Sequence, residues 1–464
     1  MYIRRVRLEN VRCFGEGEHA LDLDLKLDDG GYAGWVVVAG PNGSGKTTLL
    51  QAMALAVAGP PTQAALTELA PDDWMASGGA QARTNLSMEV HTEDAFLRSA
   101  MMVAEHPDPF TFRTVQQMDL RWSLGRPPGP LLPAEFLIAS FHGPEQLGPI
   151  VTPAQNGPWV QSGRPMGWLA LGYGPFRRLA RGSTDAQRLS EARGTSKARL
   201  VGLFRQDATF ASIVPWLQEL KLSSLESGQV HYFKPTRPRL DDVIALLNDG
   251  LLPAAGQIAE ITAEGLWVET AAGTRRLERL SDGYQVALGM AVDILRQIEA
   301  SYFPMEIRQV DGRWQVLNEG VVLIDEAELH LHPEWQRRLG GWFTRVFPRM
   351  QFIVTTHSPL ICQTASPGGL IRLPGPGDDQ PARKVTGDEY EQVVNGTADD
   401  AYATLFEVPL RSERAEALLN RVAELESKIL DDEATDDEVA EYQAKKAQLP
   451  ASAELTRLLK RLDN

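Results

Sequence analysis

The residues that point most directly to chemistry lie between Gly40 and Thr48. Their sequence, GPNGSGKTT, matches the pattern G-x-x-x-x-G-K-[ST], in which glycine N–H groups surround phosphates, the lysine reaches the outer phosphates and the hydroxyl ligates Mg²⁺. Lys46 and Thr47 would take the last two roles. A plain glycine-rich turn is the alternative, but the apolar strand before the loop and the apolar helix after it favour phosphate binding. The predicted phosphate-binding residues are Gly40, Pro41, Asn42, Gly43, Ser44, Gly45, Lys46, Thr47 and Thr48.

The apolar run Val321–Ile324 ends in two carboxylates, Asp325 and Glu326. Asp325 would hold Mg²⁺ together with Thr47. Glu326 points in a different direction from the end of the strand and would polarise the attacking water as a general base. Many strands end in acidic residues that cap a following helix, so the run is ambiguous by itself. In a chain that also has a phosphate-binding loop, it predicts a Walker B strand.

Two shorter motifs are each compatible with an ordinary structural role. Ser281, in LSDGY, precedes an apolar helix predicted over 286–295, so it would serve as an N-cap. His357, in TTHSP, directly follows the apolar strand Gln351–Thr355, where a polar residue is common. A functional interpretation of either motif depends on the phosphate-binding loop and the Walker B strand.

Together, these motifs resemble those of the RecF/OLD/SMC-like branch of the ABC-type ATPases. The resemblance covers approximately residues 1–60 and 275–365 and is carried by RCF (12–14), the P-loop, LSDGY (280–284), LIDEAELHLHPEWQ (323–336) and QFIVTTHSP (351–359). It implies ATP and Mg²⁺ as ligands, with Thr47 and Asp325 at the metal. It also implies that Glu326 and His357 are catalytic, with His357 contacting the γ-phosphate.

The same resemblance implies a dimer with composite sites. Ser281 and Gly283 would bind the γ-phosphate held by the opposing protomer, helped by the positive end of the helix that they begin. The sequence departs from the usual motif at Asp282 and Tyr284, where transporters usually have Gly and Gln. A carboxylate near the γ-phosphate weakens binding unless it faces elsewhere, so we expect closure of the dimer to be conditional.

Two further features concern parts that such ATPases usually contain, the Q-loop and the loop after Walker B. The Q-loop that couples the nucleotide to the rest of the protein is not identifiable, and Gln116 and Gln117 are the candidates. The segment ELHLHPE (328–334) is rich in metal-binding side chains, but nothing supplies an obvious distant ligand. We interpret it as the loop that meets its twin across the dimer.

The stretch GYGPFRR (172–178) looks like one found in defence-associated members of this branch, and the acidic helical tail is similar to that of PtuA, the ATPase of the Septu anti-phage defence system. This implies a homodimer or higher oligomer whose nucleotide state controls a nuclease effector. The main alternative is a RecF-like DNA-repair clamp without an effector, and a nucleotide-gated scaffold with little turnover also stays open. The long insertion before Ser281 disfavours a transporter subunit. An OLD-type protein, in which one chain is both the ATPase and the nuclease, is disfavoured. Residues 358–464 show no apolar strand that ends in paired metal-binding carboxylates.

The expected fold class is α/β: an ABC-type P-loop ATPase with a mainly parallel sheet, an antiparallel β-subdomain, a long inserted α-rich region and a C-terminal helical appendage. Hydrophobic patterning predicts strands at 2–8, 21–25 and 35–38, and the strand-helix-strand order over 321–355 favours parallel pairing. The expected domains are a split core (1–60 and 275–397), an insertion (61–274) with strands at 85–91 and 110–115 and a helix at 242–247, and an appendage (398–464).

Composition and charge exclude several classes of protein. With 46 Lys+Arg against 61 Asp+Glu, the net charge is −15, so contact with DNA or RNA requires a local basic patch. The two cysteines, Cys13 and Cys362, are too few for a disulfide framework. No run reaches the length of a membrane span, and the expected location is the cytoplasm. The candidate nucleic-acid patch comprises Arg177, Arg178, Arg181, Arg188, Arg193, Lys197, Arg199 and Arg205, with a solvated helical face as the alternative.

The tail contains an apolar stripe on a predicted helix. The stripe consists of Leu418, Leu419, Val422, Leu425 and Ile429. An acidic break at 431–438 follows, and then a second helix. Packing of the stripe on the core of the chain is one interpretation, whereas the Septu resemblance favours assembly with other chains.

Overall fold

The computed structural model describes residues 1–58, 74–76, 81–90, 116–125, 137–141, 150–153, 169–177, 199–205, 210, 213–225, 237–252, 256–302, 304–378, 380–406, 412–431 and 433–448. The chain divides into two compact units, Met1–Ala401 and Tyr402–Asn464. The predicted appendage boundary at 398 lies close to this division. The strand predicted at 110–115 lies outside the described residues.

The first unit combines strands and helices along the chain. Its strands are β1 (Tyr2–Glu9), β2 (Leu21–Asp24), β3 (Trp35–Ala39), β4 (Gln81–Val90), β5 (Gln116–Gly125), β6 (Leu137–Phe141), β7 (Ile150–Pro153), β8 (Ala170–Tyr173), β9 (Gln257–Thr262), β10 (Gly265–Thr270), β11 (Gly273–Arg276), β12 (Ile307–Val310), β13 (Arg313–Val316), β14 (Gly320–Ile324), β15 (Met350–Thr356), β16 (Leu370–Arg372) and β17 (Arg383–Lys384). Its helices are α1 (Lys46–Ala58), α2 (Ile213–Leu225), α3 (Leu240–Asn248), α4 (Asp282–Ser301), α5 (Pro333–Val346), α6 (Pro359–Cys362), α7 (Gly387–Asn395) and α8 (Ala398–Ala401).

A six-stranded sheet with the order β17-β16-β3-β15-β14-β8 forms the core. β16, β3, β15, β14 and β8 pair in parallel, and β17 pairs antiparallel with β16. Every residue of β3 and β14 is buried, as expected for parallel strands covered on both faces. The mainly parallel sheet and the β14-α5-β15 unit predicted from the sequence are confirmed.

A second sheet, with the order β2-β1-β4-β5-β6-β7, is antiparallel throughout its described pairs. This confirms the predicted antiparallel β-subdomain. The prediction of an α-rich insertion fits only its later part, because the described elements from 81 to 173 are the strands β4–β8. The reason is the period of two in β4, where alternate side chains, from Ala82 to Met88, are buried.

Helix α1 lies between the two sheets. It contacts β1, β4 and β5 of the antiparallel sheet and β8, β14 and β15 of the core sheet. All of its residues except Thr47 and Gln51 are buried. A helix that is apolar on nearly all sides is expected where it is covered on all sides. The P-loop, which ends at this helix, is therefore attached to the best-packed element of the unit.

A buried amide joins the two sheets. Gln351 on β15 accepts a hydrogen bond from the Ile3 N–H at 2.7 Å and donates one to the Ile3 carbonyl at 3.1 Å. Because β2 pairs with β1 only along Arg5–Leu8, the Gln351 side chain takes the place of a strand neighbour at Ile3. Gln351 is fully buried, so its loss would leave two backbone groups unpaired away from water.

We expect Gln351→Ala to lower the free energy of unfolding by about 2–4 kcal/mol, because each unpaired buried group costs roughly 1–3 kcal/mol. Urea unfolding followed by tryptophan fluorescence measures the change. Gln309→Ala is the control, because Gln309 is exposed on β12 and should alter stability by less than about 0.5 kcal/mol. Equal stability of the two variants would contradict the role of the amide.

The second unit contains a helical hairpin. Its elements are a short π-helix (Tyr402–Phe406), α9 (Glu413–Leu430) and α10 (Asp436–Lys446). Arg421 pairs with Glu441 at 2.8 Å and Lys428 pairs with Glu438 at 2.7 Å, so the two long helices run antiparallel. The acidic break is shorter than predicted, because its last residues, from Asp436, already belong to α10.

The predicted apolar stripe of the tail is partly covered. Val422 and Leu425 are buried, whereas Leu418, Leu419 and Ile429 are half-buried. Helix α10 packs against α9. This contact was not among the interpretations given for the stripe. In the part of the chain that the structure describes, the helices are too short or too polar to cross a membrane.

Candidate nucleotide-binding site

The carboxyl ends of three neighbouring core strands bring the predicted motifs together. β3 leads into the P-loop, β14 into Asp325 and Glu326, and β15 into His357. Because β15 pairs in parallel with both β3 and β14, these ends meet at one edge of the sheet. Ligands of open α/β sheets bind at this edge. The P-loop and the Walker B carboxylates therefore lie together at this edge, where the Thr47 hydroxyl contacts Asp325.

The P-loop requires glycine because of its backbone conformation and its close packing. Gly43 and Gly45 have φ values of 81° and 87°, in the left-handed region that other residues rarely adopt. A Cβ on Gly45 would lie 2.5 Å from Cys13 Sγ and 2.6 Å from Phe14 Cζ. The RCF motif therefore packs directly against the loop and leaves no room for a side chain at Gly45.

Lys46, the first residue of α1, is buried in this loop. Its ammonium group donates hydrogen bonds to the carbonyls of Gly40 and Pro41 at 2.8 and 2.9 Å. Burial lowers the pKa of Lys46 to about 8, and the nearby charge of Asp325 opposes that shift. The negative charges of a bound phosphate would favour the protonated form further. The position suits a residue that binds the outer phosphates of a nucleotide.

Thr47 and Asp325 fit a magnesium site. The Thr47 hydroxyl donates to Asp325 Oδ2 at 2.7 Å, although the two residues are 278 positions apart. The Thr355 hydroxyl donates to the other carboxylate oxygen, Oδ1, at 2.5 Å. Hydroxyl and carboxylate oxygens are ligands that Mg²⁺ accepts beside phosphates. When bound, the ion would neutralise phosphate charge, and Thr47 and Asp325 would hold it.

The Walker B turn holds Glu326 in an unusual backbone conformation. Its φ is 48°, in the left-handed region, which costs a non-glycine residue about 1–2 kcal/mol. Its N–H donates to the Thr355 hydroxyl at 2.9 Å. Burial, followed by the charges of Asp325 and Glu328, raises the pKa of Glu326. The carboxylate is therefore a stronger base than an exposed glutamate, as a general base requires.

Glu328 fixes the segment that carries His357. Its carboxylate accepts hydrogen bonds from the Thr356 hydroxyl at 2.7 Å and from the His357 N–H at 2.6 Å. Burial, followed by the charge of Lys46, lowers the pKa of His357, so its ring is neutral near pH 7 and can hydrogen-bond a phosphate oxygen. This contact of Glu328 with Thr356 and His357 was not predictable from a motif, because both partners lie at the end of the next core strand, β15.

The signature motif lies at the start of α4 and packs on α5. Ser281 occupies the predicted N-cap position, but its side chain makes no capping hydrogen bond. A Cβ on Gly283 would lie 2.3 Å from the Trp335 ring, so this glycine is needed for packing. Asp282 is exposed, with its carboxylate 3.9 Å from His330 Nδ1. Among the hydrogen bonds of the described residues, none joins this motif to the P-loop of the same chain.

The ELHLHPE segment has structural contacts at both histidines. His332 is the N-cap of α5 and accepts a hydrogen bond from the Glu334 N–H. His330, with a φ of 66°, lies beside Asp282. Across the described ranges, no group of three or more His, Cys, Asp or Glu side chains is arranged to hold a metal ion. Contact of the segment with its twin in a dimer stays a prediction.

The structure changes the interpretation of the basic segment. Arg177 and Arg199 are only 4% and 3% exposed, and burial lowers the pKa of each to about 10. Neither can therefore contribute to an exposed nucleic-acid patch, which is a correction to the prediction. Arg205 is half-buried. The remaining members, Arg178, Arg181, Arg188, Arg193 and Lys197, lie outside the described residues.

Gln116 and Gln117 do not lie at the end of a core strand. They begin β5 and face Val90 and Glu89 in the register of the antiparallel sheet. The strand that leads from the nucleotide edge of the core sheet towards the later insertion is β8, beside β14. The proposed Q-loop positions are therefore wrong for this fold.

β8 connects the Walker B strand to α4. The Asp325 N–H donates to the Tyr173 carbonyl at 2.8 Å. The Tyr173 hydroxyl donates to Asp293 Oδ2 of α4 at 2.9 Å, and Arg296 donates to Oδ1 of the same carboxylate at 2.7 Å. A buried network thus joins the end of β8 to the helix that begins with the signature motif.

Comparison with known proteins agrees with this geometry. A family model described as "AAA domain, putative AbiEii toxin, Type IV TA system" matches residues 176–363, and one described as "AAA domain" matches residues 5–77. The Septu protein PtuA of Bacillus mycoides (strain KBAB4) is 24% identical to the chain over 360 residues. The chain is similar to PtuA and contains the P-loop and Walker B motifs of ATPases. The predicted resemblance to PtuA is confirmed.

The chain spans only part of the length of the curated relatives that it matches. The PtuA alignment covers 77% of the chain and 38% of PtuA. The Retron Ec83 probable ATPase of Escherichia coli is 41% identical over 86 residues, which cover 18% of the chain and 15% of that protein. Among solved structures, the SMC head domain from Thermotoga maritima has a TM-score of 0.41 at 14% identity, and the match covers 84% of the chain and 100% of that domain.

We expect Lys46→Ala to abolish ATP binding, because the ammonium group at the phosphates is lost. Glu326→Gln should still bind ATP but lower kcat by about 100-fold or more, because the general base is lost. Equilibrium ATP binding and phosphate release measure the two effects. Glu269→Gln, on an exposed position of β10, is the control. Unchanged turnover in Glu326→Gln would remove this residue from the role of base.

Proposed function

We propose that this protein is an ATPase that works in the cytoplasm as a homodimer or higher oligomer whose ATP cycle controls a nuclease partner in prokaryotic anti-phage defence. The observation that supports the dimer is that the signature motif is exposed and, among the hydrogen bonds of the described residues, makes none to the P-loop of the same chain. Ser281 is exposed at the start of α4, with its hydroxyl unused as a cap. A second copy facing the first would place each Ser281 at the other copy's γ-phosphate.

Asp282 makes closure of the proposed dimer conditional. The residue is exposed, and a carboxylate at the start of α4 would repel an approaching γ-phosphate. The Asp282 carboxylate lies 3.9 Å from Nδ1 of His330. His330 therefore offers Asp282 a partner other than the nucleotide. The dimer would close when the contact with His330 keeps the carboxylate away from the phosphate.

Composite sites predict complementation between two inactive variants. Lys46→Ala removes the phosphate-binding ammonium, and Ser281→Arg blocks the surface offered to the other protomer, so each variant alone should lack ATPase activity. Mixed under conditions that allow subunit exchange, they should regain activity, because each heterodimer contains one intact site. ATP hydrolysis across a series of mixing ratios measures the recovery. If exchange is verified by mass and no activity returns, the sites are not shared.

The similarity to a Septu protein and to a retron probable ATPase supports a role in defence, and the nuclease partner is what the Septu resemblance implies. The helical hairpin of the second unit supports the tail as an assembly element. Leu430 at the end of α9 is 80% exposed, and the half-buried part of the stripe leaves apolar surface for another chain. We assign to this hairpin the contact with a further copy or with the nuclease.

Phage plating and co-purification test the partner. Cells that express the ATPase with the product of an adjacent nuclease gene should resist phage, and Lys46→Ala should remove the resistance because the ATP cycle is blocked. A chain truncated at Pro409 should bind ATP, show a smaller mass by light scattering and no longer co-purify with the nuclease. Glu269→Gln, which is exposed on β10, serves as the matched positive control.

Two results would contradict the proposal. If the truncated chain keeps the full-length oligomer and the partner, the hairpin is not the assembly element. If resistance does not depend on the nuclease gene and the ATPase binds DNA in an ATP-dependent manner, the RecF-like clamp is the better assignment. In that case the arginines between 178 and 197 become the first candidates for DNA contact.

A further inference from the structure

Arg177 lies beneath the Walker B turn, in a position that the predicted surface role does not explain. One terminal nitrogen of its guanidinium group, Nη1, donates to the Asp325 carbonyl at 2.6 Å and to the Gly174 carbonyl at 3.1 Å. The other, Nη2, donates to the Glu326 carbonyl at 2.6 Å. The fork of the guanidinium group thus spans two successive peptide groups of the turn.

These two carbonyls belong to the peptide groups on either side of the Glu326 Cα atom. Fixing the orientation of both peptide groups fixes φ and ψ of Glu326, and therefore the direction of its Cβ. That conformation, with φ at 48°, is one that a glutamate leaves unless its surroundings hold it there. The Glu326 N–H is held by Thr355, and Arg177 holds the two oxygens.

Burial of the charged Arg177 side chain carries a cost in solvation free energy. A buried guanidinium group needs compensation for the water that it loses, and its Nε has no hydrogen-bond partner. The negative charges of Asp325, Glu328 and Glu326 provide the compensation. Arg177 nevertheless makes its hydrogen bonds to the main chain of the turn, which leaves the carboxylates of Asp325 and Glu326 available for the metal and the water.

We infer that Arg177 is a positioning residue for ATP hydrolysis, which acts through the main chain of Asp325 and Glu326 to aim the general base. The inference rests on the ATPase site and on Glu326 as the base, and it is independent of the nuclease partner and of the oligomer. Displacement of a catalytic group by about 1 Å costs roughly 100-fold in rate. The hydrogen bonds of its guanidinium group go to Gly174, Asp325 and Glu326 and not to the P-loop, so nucleotide affinity should be preserved.

The test uses Arg177→Lys and Arg177→Met in the full-length chain. Lysine keeps the charge but its single nitrogen cannot reproduce the planar fork, so Arg177→Lys should lower kcat about 10-fold or more, and Arg177→Met about 100-fold, with ATP affinity changed by less than about threefold. Arg199→Met is the matched control, because Arg199 is as deeply buried. The control should lose thermal stability without the selective loss of kcat.

Combination with the base variant separates positioning from general stability. If Arg177 acts through Glu326, then Arg177→Lys should cost little further rate when introduced into Glu326→Gln, measured in single-turnover reactions. A full additional loss in that background would overturn the inference. Wild-type kcat in a folded Arg177→Met or Arg177→Lys variant would overturn it as well, as would a parallel loss of kcat and ATP affinity. Should Arg177→Met fail to fold, Arg177→Lys decides the question alone.

Discussion

The hydroxyl group of Thr355 is the contact on which the geometry of the hydrolytic site depends. It donates to the Asp325 carboxylate and accepts from the Glu326 N–H, so one oxygen orients both the metal ligand and the base. This is possible because β14 and β15 pair in parallel with Ile324 opposite Val354. A shift of that register by one residue would turn Thr355 to the other face of the sheet. The chemistry of the site thus depends on strand pairing in the buried core.

Charge balance is the second constraint on the site. Two buried cations, Lys46 and Arg177, lie among the carboxylates of Asp325, Glu326 and Glu328. Each charge would be costly alone in this environment, and each reduces the cost of its neighbours. The removal of one member therefore affects the protonation of the others as well as its own contacts. Such coupling explains why the P-loop and the Walker B turn behave as one electrostatic unit although they lie far apart in the sequence.

The sequence was sufficient to predict the parts of the site whose chemistry is contained in short contiguous motifs. The glycines of the P-loop, Lys46, Thr47 and Asp325 fall at spacings that the chemistry requires, and buried parallel strands appear as continuous apolar runs. Contacts between distant residues were not predictable. Arg177 meets the Asp325 carbonyl across 148 positions, and its arginine-rich surroundings indicated a surface instead. The strands of the early insertion were underestimated because Pro- and Gly-rich segments separate them in the sequence, although β4 itself alternates with a period of two.

The network of Tyr173 with Asp293 has a mechanical consequence for α4. Asp293 lies eleven residues after Asp282, roughly 16 Å along the helix axis at about 1.5 Å per residue. The hydrogen bond to Tyr173 makes this point a pivot beside the core sheet, and the start of the helix, which packs on α5 through Gly283 and Trp335, lies at the other end of a lever. A tilt of about 5° around the pivot moves the start of α4 by roughly 1.4 Å, given that length. Movements at the exposed end thus reach the sheet as small rotations at Asp293.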